Sequence, residues 1–207
     1  MSTPPPSRPT LGPARPEMED GLVFARHLDT AADGVFRTMI GARFEEVIAA
    51  AYLSPGHDLS YERVTFAEHE GRIVGTASGY SAGQHRESDD RPLTKAAGVL
   101  TLIRLAAVYL PLRPVLHFID QLPDGDFYLQ AIAVDDDQRG NGVGSMLMDH
   151  VDDIARSLGC RRIALDVADD NPDARRLYER RDMVVEASSR PAWFGLAPCV
   201  HRMVREL

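Results

Sequence analysis

Apolar positions along this chain recur with two periods, and the switches between them divide it into elements. The aromatic and branched run Asp126–Val134 (DFYLQAIAV), bounded by turn residues, predicts a buried strand. Beyond a polar, glycine-rich stretch, Val143, Leu147, Val151, Ile154 and Leu158 stand at helical spacing and predict an amphipathic helix. Upstream, residues 21–27 (GLVFARH) read as a first strand, with Asp29 or Thr30 placed to cap the helical segment after it. Phe36, Met39, Ile40, Phe44, Val47, Ile48, Ala51 and Tyr52 then predict two short helices, or one kinked at Gly41, ending at residues 54–56. Residues 63–70 and 72–81 predict two strands joined by a tight Glu70-Gly71 turn. Residues 161–167, 183–187 and 200–204 predict three further strands, and a helix opens at Asn171-Pro172. Summed, the pattern is a mixed sheet of six or seven strands with helices on its faces, an α/β architecture.

Two stretches fall outside that alternation. Residues 1–19 are rich in proline and too poor in apolar surface to offset the entropy of ordering them, so a disordered tail is expected, with the domain spanning 20–207. Residues 82–125 form a long insertion between the third and fourth strands. Its apolar part, AAGVLTLIRLAAVYLPLRPVLHFI, is long enough to suggest a membrane span. Arg104, Arg113, Pro111 and Pro114 within it argue against one, and predict instead an amphipathic helix near 94–110 followed by a shorter piece.

The chain has 207 residues, enough for one well-packed domain, and a formal net charge of -8, which argues against non-specific nucleic-acid binding. Cys160 and Cys199 are its only cysteines and suggest neither a disulfide framework nor a zinc cluster. With no apolar core segment near the N-terminus, a cytoplasmic location is expected.

The chemistry-bearing stretch lies between the strand ending at Val134 and the helix opening at Val143. Glycines let backbone approach a ligand, and the first amides of a helix are unpaired donors with the positive end of the dipole behind them. The turn Arg139-Gly140-Asn141-Gly142-Val143-Gly144 therefore has the makings of a phosphate cradle, with the Arg139 fork as an added donor. No Lys-Ser/Thr comes after it, which excludes a P-loop, and the glycines are spaced G-x-G-x-G rather than as in the dinucleotide fingerprint.

This turn is similar to the R-x-x-G-x-G/A turn of the GNAT superfamily of acetyl-CoA-dependent N-acetyltransferases. About thirty residues on, Asn171-Pro172-x-Ala174-x-x-Leu177-Tyr178-Glu179 resembles that family's second signature, N-x-x-A-x-x-L-Y-x-x-x-G-F. The chain departs from it at Asp182-Met183, where Gly-Phe is usual, so an altered helix-to-strand turn is expected. The resemblance covers 126–187 closely and the chain from 21 loosely. It implies a mostly antiparallel GNAT sheet and acetyl-CoA as cosubstrate, with no metal. The cofactor would rest on Ile132, Ala133, Val134, Arg139, Gly140, Asn141, Gly142, Val143, Gly144, Ser145, Asn171 and Ala174.

Acetyl transfer from a thioester to an amine needs a polarised carbonyl, an amine that loses its proton, and an acid for the leaving thiolate. Backbone amides near Ile132–Val134 suit the first task, and the resemblance points to Tyr178 as the acid. Asp126, thirteen residues before Arg139, stands where some relatives carry a catalytic glutamate; its plain reading is a solvated turn residue. Asp124, Glu68 and His117 are further candidates for the base. Asp135-Asp136-Asp137 reads as a solvated loop, and Arg175, Arg176, Arg180 and Arg181 as either a partner for the 3′-phosphate or an exposed helix face. The expected acceptor is an amine of a small molecule or peptide. A homodimer is compatible with the sequence but not specified by it. Two other readings stay open: an acyl-CoA-binding regulatory module without turnover, and an interaction protein using the 82–125 insertion.

Overall fold

The structure is a computed structural model and describes residues 8–191 and 199–207. Strand β1 (Thr10–Pro13) is followed by helices α1 (Met18–Ala31), α2 (Val35–Ile40) and α3 (Phe44–Tyr52), then by the hairpin β2 (Val64–His69) and β3 (Arg72–Ser81). Helices α4 (Ala82–Arg86) and α5 (Arg91–Asp120) form the insertion. The chain continues through β4 (Asp126–Val134), α6 (Val143–Ser157), β5 (Arg162–Ala168), α7 (Pro172–Glu179), β6 (Val184–Ser188) and β7 (Val200–Glu206). The seven strands lie in the order β1-β2-β3-β4-β5-β7-β6, and all neighbours are antiparallel except β4 and β5. The mixed, mostly antiparallel sheet and the insertion between the third and fourth strands are thus as the sequence predicts.

Each face of the sheet is covered by a different set of helices. Phe127, Leu129, Ile163, Leu165 and Met203 pack with Val143, Leu147 and Val151 of α6, whose apolar stripe was evident from spacing alone. On the opposite face Phe66 and Ala131 meet Phe24 and Leu28 of α1 and Val47, Ile48 and Tyr52 of α3. Residues on β4 keep to their face in spite of an irregularity. Ser78 pairs with Ala131 and Gly79 with Leu129, so Gln130 is a bulge. Phe127 and Leu129 before it, and Ile132 and Val134 after it, all lie on the α6 side.

Residues 21–27 are helical, which overturns the expected first strand. The buried positions of α1 are Asp20, Gly21, Phe24, Ala25, Leu28 and Asp29, a helical period. The short apolar run within it was ambiguous between the two periods. Gly21 serves close packing between helices: a Cβ there would stand 3.0 Å from the Tyr52 ring and 3.1 Å from Ala49. The first strand comes instead from within the expected tail. Residues 10–13 pair with β2, Arg15 bridges Asp20 and Glu68, and Tyr52 donates its hydroxyl hydrogen to the Arg15 carbonyl. Residues 1–7 of that tail lie outside the described residues.

The insertion also differs from expectation in where it bends. Helix α5 runs past Pro111 and Pro114 and is interrupted instead at Gly98 (φ 71°). The prolines deprive the carbonyls of Ala107 and Leu110 of a donor, and both residues are exposed, so water can replace it. The Glu70-Gly71 turn is as expected, with φ 53° and 77°.

Gly79 stands beside the bulge, where a Cβ would lie 2.5 Å from the Tyr128 carbonyl oxygen and 2.6 Å from the Phe127 ring. Gly79→Ala is expected to cost about 1–3 kcal/mol of stability through this overlap. Denaturant unfolding checks it; an unchanged midpoint would show that β4 can move aside.

Candidate active site

Strands β4 and β5 are paired over three residues only, Asp126 with Arg162, Phe127 with Ile163 and Tyr128 with Ala164. Beyond Tyr128 they diverge, while β3 holds the other edge of β4 as far as Val134. From Leu129 onward, then, the β5-facing edge of β4 has no strand partner. A strand turns alternate N–H and C=O groups to each edge, so the fork is lined on one side by unpaired backbone donors. Ser78 donates its hydroxyl to Gln130 Oε1 at 3.1 Å, which fixes the bulged residue at this point.

The glycine turn sits at the open end of the fork. After a 3₁₀ turn at Asp136–Gln138, Gly140 and Gly142 both take φ 82°, and an ideal Cβ on either would meet nothing within 4 Å. The positive φ accounts for the glycines, and the space beside both is open. Gly142 is the N-cap of α6, and Met146 is the first amide to bond back, to the Gly142 carbonyl at 3.0 Å. The amides of Val143, Gly144 and Ser145 are left as the unpaired first turn. Arg139 is exposed and bonded to Asp136 at 2.9 Å, so an anion at this turn would compete with Asp136 for it.

Helix α7 forms the other wall. Asn171 caps it, its Oδ1 accepting from the Ala174 amide at 3.1 Å, while its Nδ2 donates to Asp33 of the α1–α2 turn at 3.3 Å. Ala174 and Tyr178 pack on the α6-side core. Burial pushes the Tyr178 phenol up to about 12, so it stays protonated at neutral pH. In the turn after α7, where the usual glycine is missing, Asp182 itself adopts φ 61°, and Met183, 2% exposed, lies in the core.

The closed end of the fork is stitched by charge. Asp126 is 2% exposed, not a solvated turn residue, and both its oxygens accept from Arg162, at 2.9 and 2.8 Å. Arg162 also reaches Glu186 on β6. Tyr128 donates to Asp166 at 3.0 Å, and Arg202 holds Asp166 through two bonds of 3.0 and 2.7 Å. Burial keeps the Tyr128 phenol neutral by raising its pKa. Arg202 further donates to the carbonyls of Phe118, Ile119 and Gln121, a cation satisfying the C-terminal end of α5. Nearby His85 stacks on Tyr80 and bridges Asp58 (2.6 Å) and Asp120 (3.1 Å). Burial opposes its charge, but the two carboxylates outweigh that and raise its pKa. Sequence reading missed this group because its members are scattered from residue 58 to residue 202. Only the period-two alternation that puts Asp126 and Tyr128 on one face of β4 hinted at it.

The remaining candidates are engaged elsewhere. Glu68 pairs with Arg15, Asp124 with Arg86, and His117 with Gln121. Asp135 holds His27 and Arg72, Asp137 also holds Arg72, and Asp136 holds Arg139. Arg181 ties α7 to Asp149 and the Ser145 carbonyl of α6, and Arg175 pairs with Glu179.

The fold as a whole is shared with solved acetyltransferases. One crystal structure described as an acetyltransferase is 24% identical with a TM-score of 0.65, covering 95% of this chain and 98% of that one. An N-acetyltransferase from Staphylococcus aureus Mu50 is 16% identical with a TM-score of 0.70 (95% and 100% covered). The ribosomal-protein-S18-alanine N-acetyltransferase from Escherichia coli is 17% identical with a TM-score of 0.53 (96% and 93% covered). Among curated proteins no match is found. The model of the acetyltransferase (GNAT) family matches residues 39–183, most of the chain, and the protein belongs to that family.

Asp182 carries a left-handed conformation that a side chain disfavours. Asp182→Gly is expected to stabilise the protein by about 0.5–1 kcal/mol, read as a higher denaturant midpoint; a lower one would mean the aspartate side chain itself supports the turn.

Proposed function

We propose that the protein transfers the acetyl group of acetyl-CoA to an amine of a small molecule or peptide, by direct attack in a ternary complex. The observation that carries this reading is the fork: β4 and β5 part after three residue pairs, and the glycine turn at its mouth leaves open space beside Gly140 and Gly142 and unpaired amides at the start of α6. The amides of Val143, Gly144 and Ser145, with Gly140, Asn141 and Gly142, would take the pyrophosphate, and Arg139 would exchange Asp136 for it. The β5-facing N–H and C=O groups of Ile132 and Val134 would hold the pantetheine arm, with Asn171 and Ala174 opposite, while Ala133 between them turns its own groups to β3. Acetyl-CoA supplies an activated thioester.

Unpaired N–H groups on the open edge of β4 face the place where a carbonyl oxygen gains charge, and stabilise it there. Tyr178, neutral well past physiological pH, donates its phenolic proton as the thiolate leaves. We assign Asp126 the role of a strut, since both its oxygens are taken by Arg162 at the closed end of the fork. No other side chain is assigned as base, and the amine proton passes to water. Solved proteins of the same fold are named for a ribosomal-protein alanine and for agmatine, a peptide amine and a small-molecule amine, so the acceptor stays at that breadth.

Titration calorimetry with acetyl-CoA is expected to give binding at about micromolar Kd, abolished by Gly142→Trp, which fills the cradle. Absence of binding by the wild type would remove the transferase reading. Tyr178→Phe is expected to lower kcat by about 10²-fold or more with acetyl-CoA affinity near wild type. Because the phenol stays protonated, wild-type kcat should not fall between about pH 7 and 9. Unchanged turnover in the variant would strip Tyr178 of the acid role.

A further inference from the structure

Helix α5 is apolar on two opposite sides. Leu112 and Val115 are buried, each 6% exposed, and pack on the domain with Met39 and Val108. The other side carries Val99 (74% exposed), Ile103 (63%), Leu110 (55%) and Tyr109 (51%), with Leu102 and Ala106 between them. Positions 99, 103, 106 and 110 fall on one line, a stripe about 17 Å long. An 18-residue stretch within Thr101–Asp120 has a mean hydropathy of 1.4, and 11% of that stretch is buried. A helix apolar all round is normally covered on every side.

Charge says what covers it. Helix α5 packs beside α2, and Arg104 donates to the Thr38 carbonyl at its end. Residues 35–43 and helix α5 together hold Arg37, Arg43, Arg91, Lys95, Arg104 and Arg113 against one acid, Asp120, which pairs with His85, in a chain with 31 acidic residues. Arg37 and Arg91 are paired with Asp29 and Asp89; the other four have no carboxylate partner among the described residues. An exposed apolar stripe beside cations that no carboxylate neutralises among the described residues matches an anionic lipid surface, where the stripe enters the acyl boundary and the cations meet headgroups. A second copy would bring the same cations against themselves. Spanning is a different matter: the inner side of α5 is packed, and Arg202 holds its C-terminal carbonyls.

We propose that the outer face of α5, with the cations beside it, seats this domain peripherally on anionic lipid bilayers. The test is co-sedimentation of the full chain with phosphatidylcholine vesicles, with and without about 25% phosphatidylglycerol. At low salt the wild type should favour the anionic vesicles by at least about tenfold, and high salt should release it. The double variant Ile103→Glu/Leu110→Glu should lose binding with an unchanged circular dichroism spectrum, since both side chains are exposed. Lys95→Glu/Arg113→Glu should lose the preference for anionic vesicles. No sedimentation of the wild type, or undiminished sedimentation of the Ile103→Glu/Leu110→Glu variant, overturns the proposal. So does a wild-type dimer by light scattering that this variant dissolves while vesicles bind neither, which would make the occupant a second copy.

Discussion

Two parallel strands that start together and then part must be held firmly at the point where they separate, and the rest of this molecule depends on how that is done. The pairing of β4 and β5 covers three residues, too little backbone bonding to fix an angle by itself. What fixes it is a pair of buried ionic clusters on one face of the root, Asp126 with Arg162, and Asp166 with Arg202 and Tyr128. Buried ion pairs seldom add much net stability, because desolvation consumes the Coulombic gain, but removing one partner strands a charge. They act here as geometric pins: each arginine fork fits a carboxylate in one orientation only. With the root pinned on one edge and β3 holding the other, β4 presents an unpaired backbone edge that stays open without collapsing.

The same pins serve the insertion. Arg202 belongs at once to the root and to the C-terminus of α5, and His85 joins Asp120 at the end of that helix to Asp58 beneath α4. A segment of 30 residues is thereby pinned at its end as well as packed along one side on α2 and α3. That arrangement leaves one side of α5 free, with a composition opposite in charge to the rest of the chain. The fork and the apolar stripe are thus built on shared anchoring residues while facing different surroundings.

What the sequence determined by itself was whatever depends on neighbours within a turn or two. The α6 stripe, the Glu70-Gly71 hairpin, the run of β4, the glycine turn and the Asn171–Tyr178 cap and helix were all legible, because period and capping are local properties. The family followed from two such local patterns in order. Local reading failed at 21–27, where a short apolar run suits a strand or a helix equally and only packing of Gly21 on Tyr52 decides. It failed at residues 10–13, whose strand exists because β2 offers an edge. At Asp126 it saw a turn residue and could not see Arg162, which is brought opposite only by parallel pairing across a helical crossover. The tertiary structure alone decided which charges are buried together, where β4 and β5 part, and which side of α5 is left uncovered. Each of these depends on contacts between residues tens of positions apart, and no periodicity along the chain records them.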